Sequence, residues 1–225
     1  MARLYRSLLF VPGNNPRFLE KAKTSTADIV CFDLEDSVPD PEKKNARDLI
    51  KKALQSRSQY SSSVYVRTNS PISGKIPADL QEIIQKGLDG IVIPKVNNPA
   101  ELAKITKIIS SLEKKRKLKP VSVIPSIESA QGVVNTYEIA KSSKRIPAVV
   151  FGVFDLLNDL GIEYTKQSQG AQYSRAKIPV DAKAAGVLAI DGIWQDLQDI
   201  DGLREDCLAG KRLGYSGKSI IHPDQ

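Results

Sequence analysis

The chain has 225 residues, 41% hydrophobic and 26% charged, which suits one globular unit and excludes the fibrous and disordered classes. No stretch nears the roughly 18 to 20 uninterrupted apolar positions needed to cross a bilayer, so a membrane role is not expected. The net charge of +7, from 33 basic against 26 acidic residues, would suit a nucleic-acid partner. Much of the excess, however, sits in Lys104, Lys107, Lys114, Lys115, Arg116, Lys117 and Lys119, around the helical apolar pattern Leu102, Ile105, Ile108, Ile109 and Leu112. With no aromatic residues interleaved, that run reads as a solvated helix face, and nucleic acid is not expected as a partner. Residues 1–12 begin basic and carry a short apolar run, but Pro12 and Gly13 follow where a secretory signal needs a longer apolar core. Cys31 and Cys207 are the only cysteines, so reduced thiols and a cytoplasmic setting are expected.

In chain order, β-branched runs alternate with longer amphipathic stretches. Strands are predicted at 7–12, 28–34, 64–69, 90–96, 121–126, 148–154, 187–193 and 218–222. Most are apolar on both faces, as parallel strands covered by helices should be. Helices are predicted at 16–23, 41–55, 80–86, 99–114, 130–141 and 181–185, with Pro16, Pro41 and Pro99 where a first turn tolerates proline. The Ser-rich piece 56–63 reads as an ordinary loop and 165–177 as a polar loop that could border an active site. Eight βα units predict an α/β fold, a single (β/α)8 TIM-barrel domain over 1–225 that ends at about the eighth strand, with its final helix outside the sequence. An open doubly wound sheet is the rival, weakened by the absence of a Gly-x-Gly-x-x-Gly turn after the first strand.

In such a barrel, chemistry collects where strands end. Arg6 flanks the first strand, the second runs into Asp33-Leu34-Glu35-Asp36-Ser37, and the third delivers Arg67 and Asn69. Lys95, Glu128 and Asp155 follow the fourth, fifth and sixth. Carboxylates crowded on one rim repel, and a hard divalent cation lets them remain ionised. Magnesium takes one or two protein carboxylates, a role open to Glu128 and Asp155, with Glu35 and Asp36 placed to hold metal-bound water. Taken singly, each carboxylate could instead be a helix cap or a surface ion pair. Lys95 reads as a rim charge or, less simply, a Schiff-base nucleophile. His222 reads as structural, and the aspartates at 191, 196, 199, 201 and 206, with Trp194, as a surface connection.

Seven segments carry a resemblance: RSLLFVPGN from Arg6, DLEDSV from Asp33, VRTN from Val66, IPKV from Ile93, IPSIESAQG from Ile124, FGVFDLLNDLG from Phe151 and GYSGKSIIHPDQ from Gly214. In this order they resemble the citrate lyase beta subunit-like family, which includes malyl-CoA and citramalyl-CoA lyases and belongs to the HpcH/HpaI aldolase/citrate lyase group. The resemblance implies a TIM barrel and a Mg2+-dependent lyase that splits a short-chain 3-hydroxyacyl thioester, such as citryl-, malyl- or citramalyl-CoA, into an acyl thioester and a 2-oxo acid through an enolate. It implies Glu128 and Asp155 as metal ligands, with Glu128 also near substrate. Arg67 would bind the substrate's oxygens, Arg6 would contact coenzyme A or substrate, and Glu35 and Asp36 would be acidic catalytic-pocket residues. Partners would be a CoA or acyl-carrier thioester and a 2-oxo acid, in a homotrimer or hexamer. Where the family has an acidic residue before the metal-binding aspartate, this chain has Phe154, which should change the polarity of the pocket. The family's proton-handling aspartate lies beyond the HP-x-Q motif, and the sequence ends in that motif at Gln225. Thioester hydrolysis or synthesis in the same pocket, and a non-catalytic ligand-binding subunit, are the alternatives.

Overall fold

A computed structural model describes residues 5–166 and 169–225. Strands β1 (Ser7–Pro12), β2 (Ile29–Asp33), β3 (Ser63–Arg67), β4 (Gly90–Ile93), β5 (Ser122–Ile127), β6 (Ala148–Phe151), β7 (Leu188–Asp191) and β8 (Gly217–Ile220) form a closed parallel barrel in sequence order. Closure pairs Ser7, Leu8 and Leu9 of β1 with Lys218, Ser219 and Ile220 of β8.

Alternation along each strand sorts its side chains between two cores. Leu8, Ile29, Cys31, Tyr65, Val92, Ile124, Ala148, Val150 and Ile190 fill the barrel. Their neighbours, among them Leu9, Val30, Phe32, Val64, Ile91 and Val123, pack outward with the helical layer. This double burial is why the runs are apolar on both faces. Gly90 is required here, since a Cβ at that position would overlap the ring of Tyr65. The inward phase continues upward: two residues beyond Cys31, Tyr65 and Ile124 come Asp33, Arg67 and Ser126, and two beyond Ser126 comes Glu128. The pattern that fills the barrel therefore also delivers polar groups to its C-terminal mouth.

The outer layer holds α1 (Pro16–Lys21), α2 (Lys43–Gln55), α3 (Ile76–Ile83), α4 (Pro99–Arg116), α5 (Ala130–Val134), α6 (Thr136–Lys141), α7 (Val153–Leu160), α8 (Gln172–Ala184) and α9 (Ile200–Leu213). Asn15 caps α1 by accepting from the amides of Arg17 and Phe18, and Asn98 caps α4 by accepting from that of Glu101. No described helix is long and apolar enough to cross a membrane.

Several boundaries differ from expectation. The sixth strand stops at Phe151, because Gly152 caps a helix in which Val153, Leu156 and Leu157 turn to the core. The β-branched and aromatic run there reads as strand, but its burial period is helical. The stretch 130–141 is two helices that break at Asn135, whose side-chain amide donates to the carbonyl of Asn97. The second half of the expected polar loop 165–177 belongs to α8 from Gln172 onward, while Gln167 and Ser168 lie outside the described residues. The buried face of α8 is Ser174, Ile178, Pro179 and Ala182, too polar and too small to signal a helix. Helix α9 was not expected at all; it is capped by Asp199, which accepts from the amide of Gly202.

Candidate active site

Asp33 and Arg67 end neighbouring strands and stand in register. Arg67 Nε donates to Asp33 Oδ1 and its Nη2 to Asp33 Oδ2, both at 2.7 Å, a bidentate pairing. The same carboxylate accepts from the amides of Glu35 and Ser37 and from the Ser37 hydroxyl, so it also folds the turn after β2. Burial alone would raise the Asp33 pKa, but Arg67 and these donors outweigh it and bring it down to about 2. Beneath the turn, the buried Lys43 ammonium donates to the carbonyls of Leu34 and Glu35 at 2.7 and 2.6 Å. The remaining Arg67 nitrogen, Nη1, reaches Glu35 Oε2 at 3.2 Å and Asp36 Oδ2 at 3.3 Å, and the guanidinium lies 4.7 Å from the Phe10 ring centre.

Lys95 follows β4 with φ of 53°, a left-handed conformation unusual for a residue with a side chain. That geometry turns its amide to Glu128 Oε1, at 2.6 Å, while its ammonium lies 3.1 Å from both Glu35 Oε1 and Asp155 Oδ1. Burial would lower the Lys95 pKa, but Glu35, Asp155 and Asp36 hold it above its ordinary value. A Schiff-base nucleophile must be neutral, so this environment opposes that reading.

Glu128 follows β5 and is 5% exposed. Gly152 opposite has no room for a Cβ, which would overlap Glu128 Oε2. Burial, then Glu35 and Asp155, push the Glu128 carboxyl up to about 8. Glu35 is pushed up to about 7, chiefly by burial, and its Oε2 meets Arg67 Nη1 as an ion pair without a well-aligned hydrogen bond. Asp155 is half-buried in the first turn of α7, where helix N-terminal amides favour a negative charge. Asp33, Asp36, Arg67, Glu128 and Asp155 border a cavity of about 400 Å³, lined also by Phe10, Ser126, Val150, Phe154 and Ser219.

The fit of a divalent cation follows from these donors. Among the described residues no group of three or more His, Cys, Asp or Glu is placed to hold a metal, so an all-protein cage is absent. Magnesium does not need one, since water and substrate oxygens complete its octahedron around one or two carboxylates. Glu128 and Asp155 provide that pair, and the Glu35 and Glu128 carboxyls, raised by burial and by their acidic neighbours, mark a site short of positive charge. The residues fit the metal.

The structure thus gathers Glu35, Asp36, Arg67, Glu128 and Asp155 at one mouth, as their strand-end positions implied. Arg6 is a correction. It precedes β1, at the opposite end of a barrel whose strands all run one way, and its guanidinium and amide bind Asp28 at 2.7 to 2.9 Å. It closes the bottom of the barrel and does not face the cavity. The aspartate cluster after β7 is a second correction, because Asp191 and Asp206 are not surface groups: Arg175 and Lys218 pair with both, and Asp191 is 2% exposed. His222 lies outside the mouth cavity, with Nδ1 accepting from the amide of Asp224. Sequence reasoning placed Asp33 on the rim without a role and gave Lys43 no part in the site. The signal for Asp33 was its inward phase and its place beside Arg67; Lys43 gave none.

Residues 6–223 match the family model described as HpcH/HpaI aldolase/citrate lyase. The chain is 36% identical over 225 residues to the citrate lyase subunit beta of Leuconostoc mesenteroides subsp. cremoris, covering 99% of this chain and 74% of that one. It is 34% identical over 224 residues to a (3S)-malyl-CoA thioesterase of Cereibacter sphaeroides, covering 100% and 75%. A citrate lyase beta subunit from M. tuberculosis, solved with oxaloacetate and magnesium, superposes with a TM-score of 0.82 at 26% identity, covering 99% of this chain and 93% of that one. On this evidence the chain belongs to the HpcH/HpaI aldolase/citrate lyase family.

Proposed function

We propose that the chain, folded as a single barrel domain, is a Mg2+-dependent carbon–carbon lyase that cleaves or forms a short-chain 3-hydroxyacyl-CoA thioester. The observation that carries this reading is the mouth itself, where Asp36, Glu128 and Asp155 line one cavity with Arg67, and Glu35 at its edge meets Arg67 and Lys95. In cleavage the substrate's 3-hydroxyl loses its proton and becomes the carbonyl of a 2-oxo acid. The adjoining carbon–carbon bond breaks, its electron pair forms the thioester enolate, and a proton delivered to carbon completes the acyl thioester. Bound by Glu128 and Asp155, Mg2+ supplies a Lewis acid and a charge for the oxo-acid oxygens.

The chain's own groups do the rest. Asp33 fixes the plane of the Arg67 guanidinium, so that Nη1 remains directed to the acidic side of the cavity, where it can hold a substrate carboxylate or the developing enolate oxygen. Lys95 ties Glu35 to Asp155 through its ammonium and holds Glu128 through its amide, fixing the three carboxyls relative to one another. Phe10 closes the inner side of the guanidinium and excludes water there. The same reading includes a homotrimer or hexamer in the cytoplasm, which light scattering and fractionation of the source cells test.

Incubation with malyl-, citramalyl- and citryl-CoA and Mg2+ decides the matter: a lyase releases a 2-oxo acid stoichiometrically with acyl-CoA, and no 2-oxo acid from any of them would refute it. A second reading, thioester hydrolysis, is favoured by the 34% identity to a malyl-CoA thioesterase. It predicts free CoA thiol and an intact hydroxy acid from the same incubation.

A further inference from the structure

The mouth is divided in character. The side from β2 to β5 carries Asp33, Glu35, Arg67, Lys95 and Glu128, with Asp155 beside them. The side from β6 to β8 presents Val150, Val153, Phe154, Ile193 and Ile221 to the same cavity. The Phe154 ring is held in place by Tyr164, with ring centres 4.7 Å apart.

Charge on the two sides is equally lopsided. Among the described residues lining the cavity, Arg67 is the sole cation, and Lys95 borders it from the adjoining groove. Both sit against carboxylates. A 2-oxo acid needs one carboxylate recognised, and Arg67 with the metal position suffices for that. A second carboxylate, carried on the chain beyond the carbonyl, would have to face the β6–β8 wall. Among the described residues of that wall the one uncharged polar side chain is the buried Ser219 hydroxyl, which has no hydrogen-bond partner of its own, and Asp155 at the start of α7 bears a carboxyl that would repel a second one. A single neutral hydroxyl does not offset a desolvated charge. A methyl or ethyl group in the same place gains contact with apolar carbon.

We infer that the β6–β8 wall is a specificity pocket for a small uncharged substituent, so that the site selects 2-oxo acids with one carboxylate, and the matching hydroxyacyl thioesters, over acids with two. The ligand class rests on the lyase reading above; the division of the wall does not.

Calorimetry on the full chain with Mg2+ tests it, using pyruvate and 2-oxobutyrate against fresh oxaloacetate and the stable two-carboxylate acid 2-oxoglutarate. The expected result is binding at least tenfold weaker for both two-carboxylate acids. Ile221→Lys places a cation at a position 37% exposed, where folding tolerates it, and Phe154→Lys places one deeper. Either variant that keeps the wild-type circular dichroism should narrow the gap at least fivefold by improving oxaloacetate. Oxaloacetate bound as tightly as pyruvate, no saturable binding of any acid, or lysine variants that leave the ratio unchanged would each overturn the proposal. Turnover of citramalyl- and citryl-CoA, followed in parallel, separates the two claims. The binding order without carbon–carbon cleavage removes the lyase reading alone, and equal cleavage of both thioesters with equal binding removes the pocket alone.

Discussion

Two clusters of ion pairs stand in this barrel, one buried and one at the mouth, and they differ in balance. Between β7, β8, α8 and α9, Arg175 and Lys218 meet Asp191 and Asp206, cation for carboxylate, with every pair at 3.3 Å or less. At the mouth, Arg67 and Lys95 face Asp33, Glu35, Asp36 and Asp155, with Glu128 behind them. The first cluster is complete as it stands and joins two helices to two strands. The second has more carboxylates than cations, and two of them, Glu35 and Glu128, are pushed up to about 7 and 8 because burial and like charge oppose their ionisation. A complete cluster serves the fold; an acidic surplus in a cavity is completed by what binds there.

That contrast makes opposite demands on mutation. Arg175→Met leaves Asp191 and Asp206 buried with one cation between them, and should lower unfolding free energy by about 3 to 5 kcal/mol, read from urea denaturation. A change within error would place this cluster among dispensable ion pairs. Glu128→Gln should do the reverse: the metal-free protein melts no lower than the wild type, since a repelled carboxyl is neutralised, while kcat/KM falls by roughly 10²- to 10³-fold, about 2.7 to 4 kcal/mol. A destabilised variant with full turnover would contradict the assignment.

Asp33 lies between the two cases, because it is saturated yet sits in the site. Its folded pKa of about 2 lies below the ordinary aspartate value of about 3.9, so it adds roughly 2 to 3 kcal/mol of stability that is fully present above about pH 5 and lost as pH falls through 2. Unfolding followed at pH 5, 3 and 2 should show this loss, and Asp33→Asn should flatten it; an unchanged slope would remove Asp33 as its source. The smallest effect belongs to Lys166, which pairs with Asp196 and Asp199 on the surface. Lys166→Ala should leave the urea midpoint where it is.

How much of this was legible in the sequence follows the same division between local pattern and long-range pairing. The strands announced themselves because a parallel barrel buries both faces of each one, and the strand-end carboxylates and Arg67 followed from that assignment. Helix α8 hid because its buried face is Ser174, Ile178, Pro179 and Ala182. The Asp191 network hid because its cations come from 16 and 27 residues away in sequence. Asp33 was visible as a residue but not as a partner, since its role depends on the β2–β3 register. Nothing in Ile-Pro-Lys-Val announces that Lys95 turns left-handed to bind Glu128. Arg6 was misplaced because its role was taken from the resemblance, although its position before β1 already put it at the N-terminal end of the barrel.

The central claim is that the acidic surplus at the mouth is the seat of a divalent cation. Calorimetric titration of Mg2+ into the wild type and Glu128→Gln, with a matching thermal melt, tests it directly. The account predicts one saturable site, and a melt raised by an amount equivalent to about 2.7 kcal/mol at a hundred times the dissociation constant, with both lost in the variant. Saturable binding of equal strength in Glu128→Gln, or none in the wild type, would contradict it.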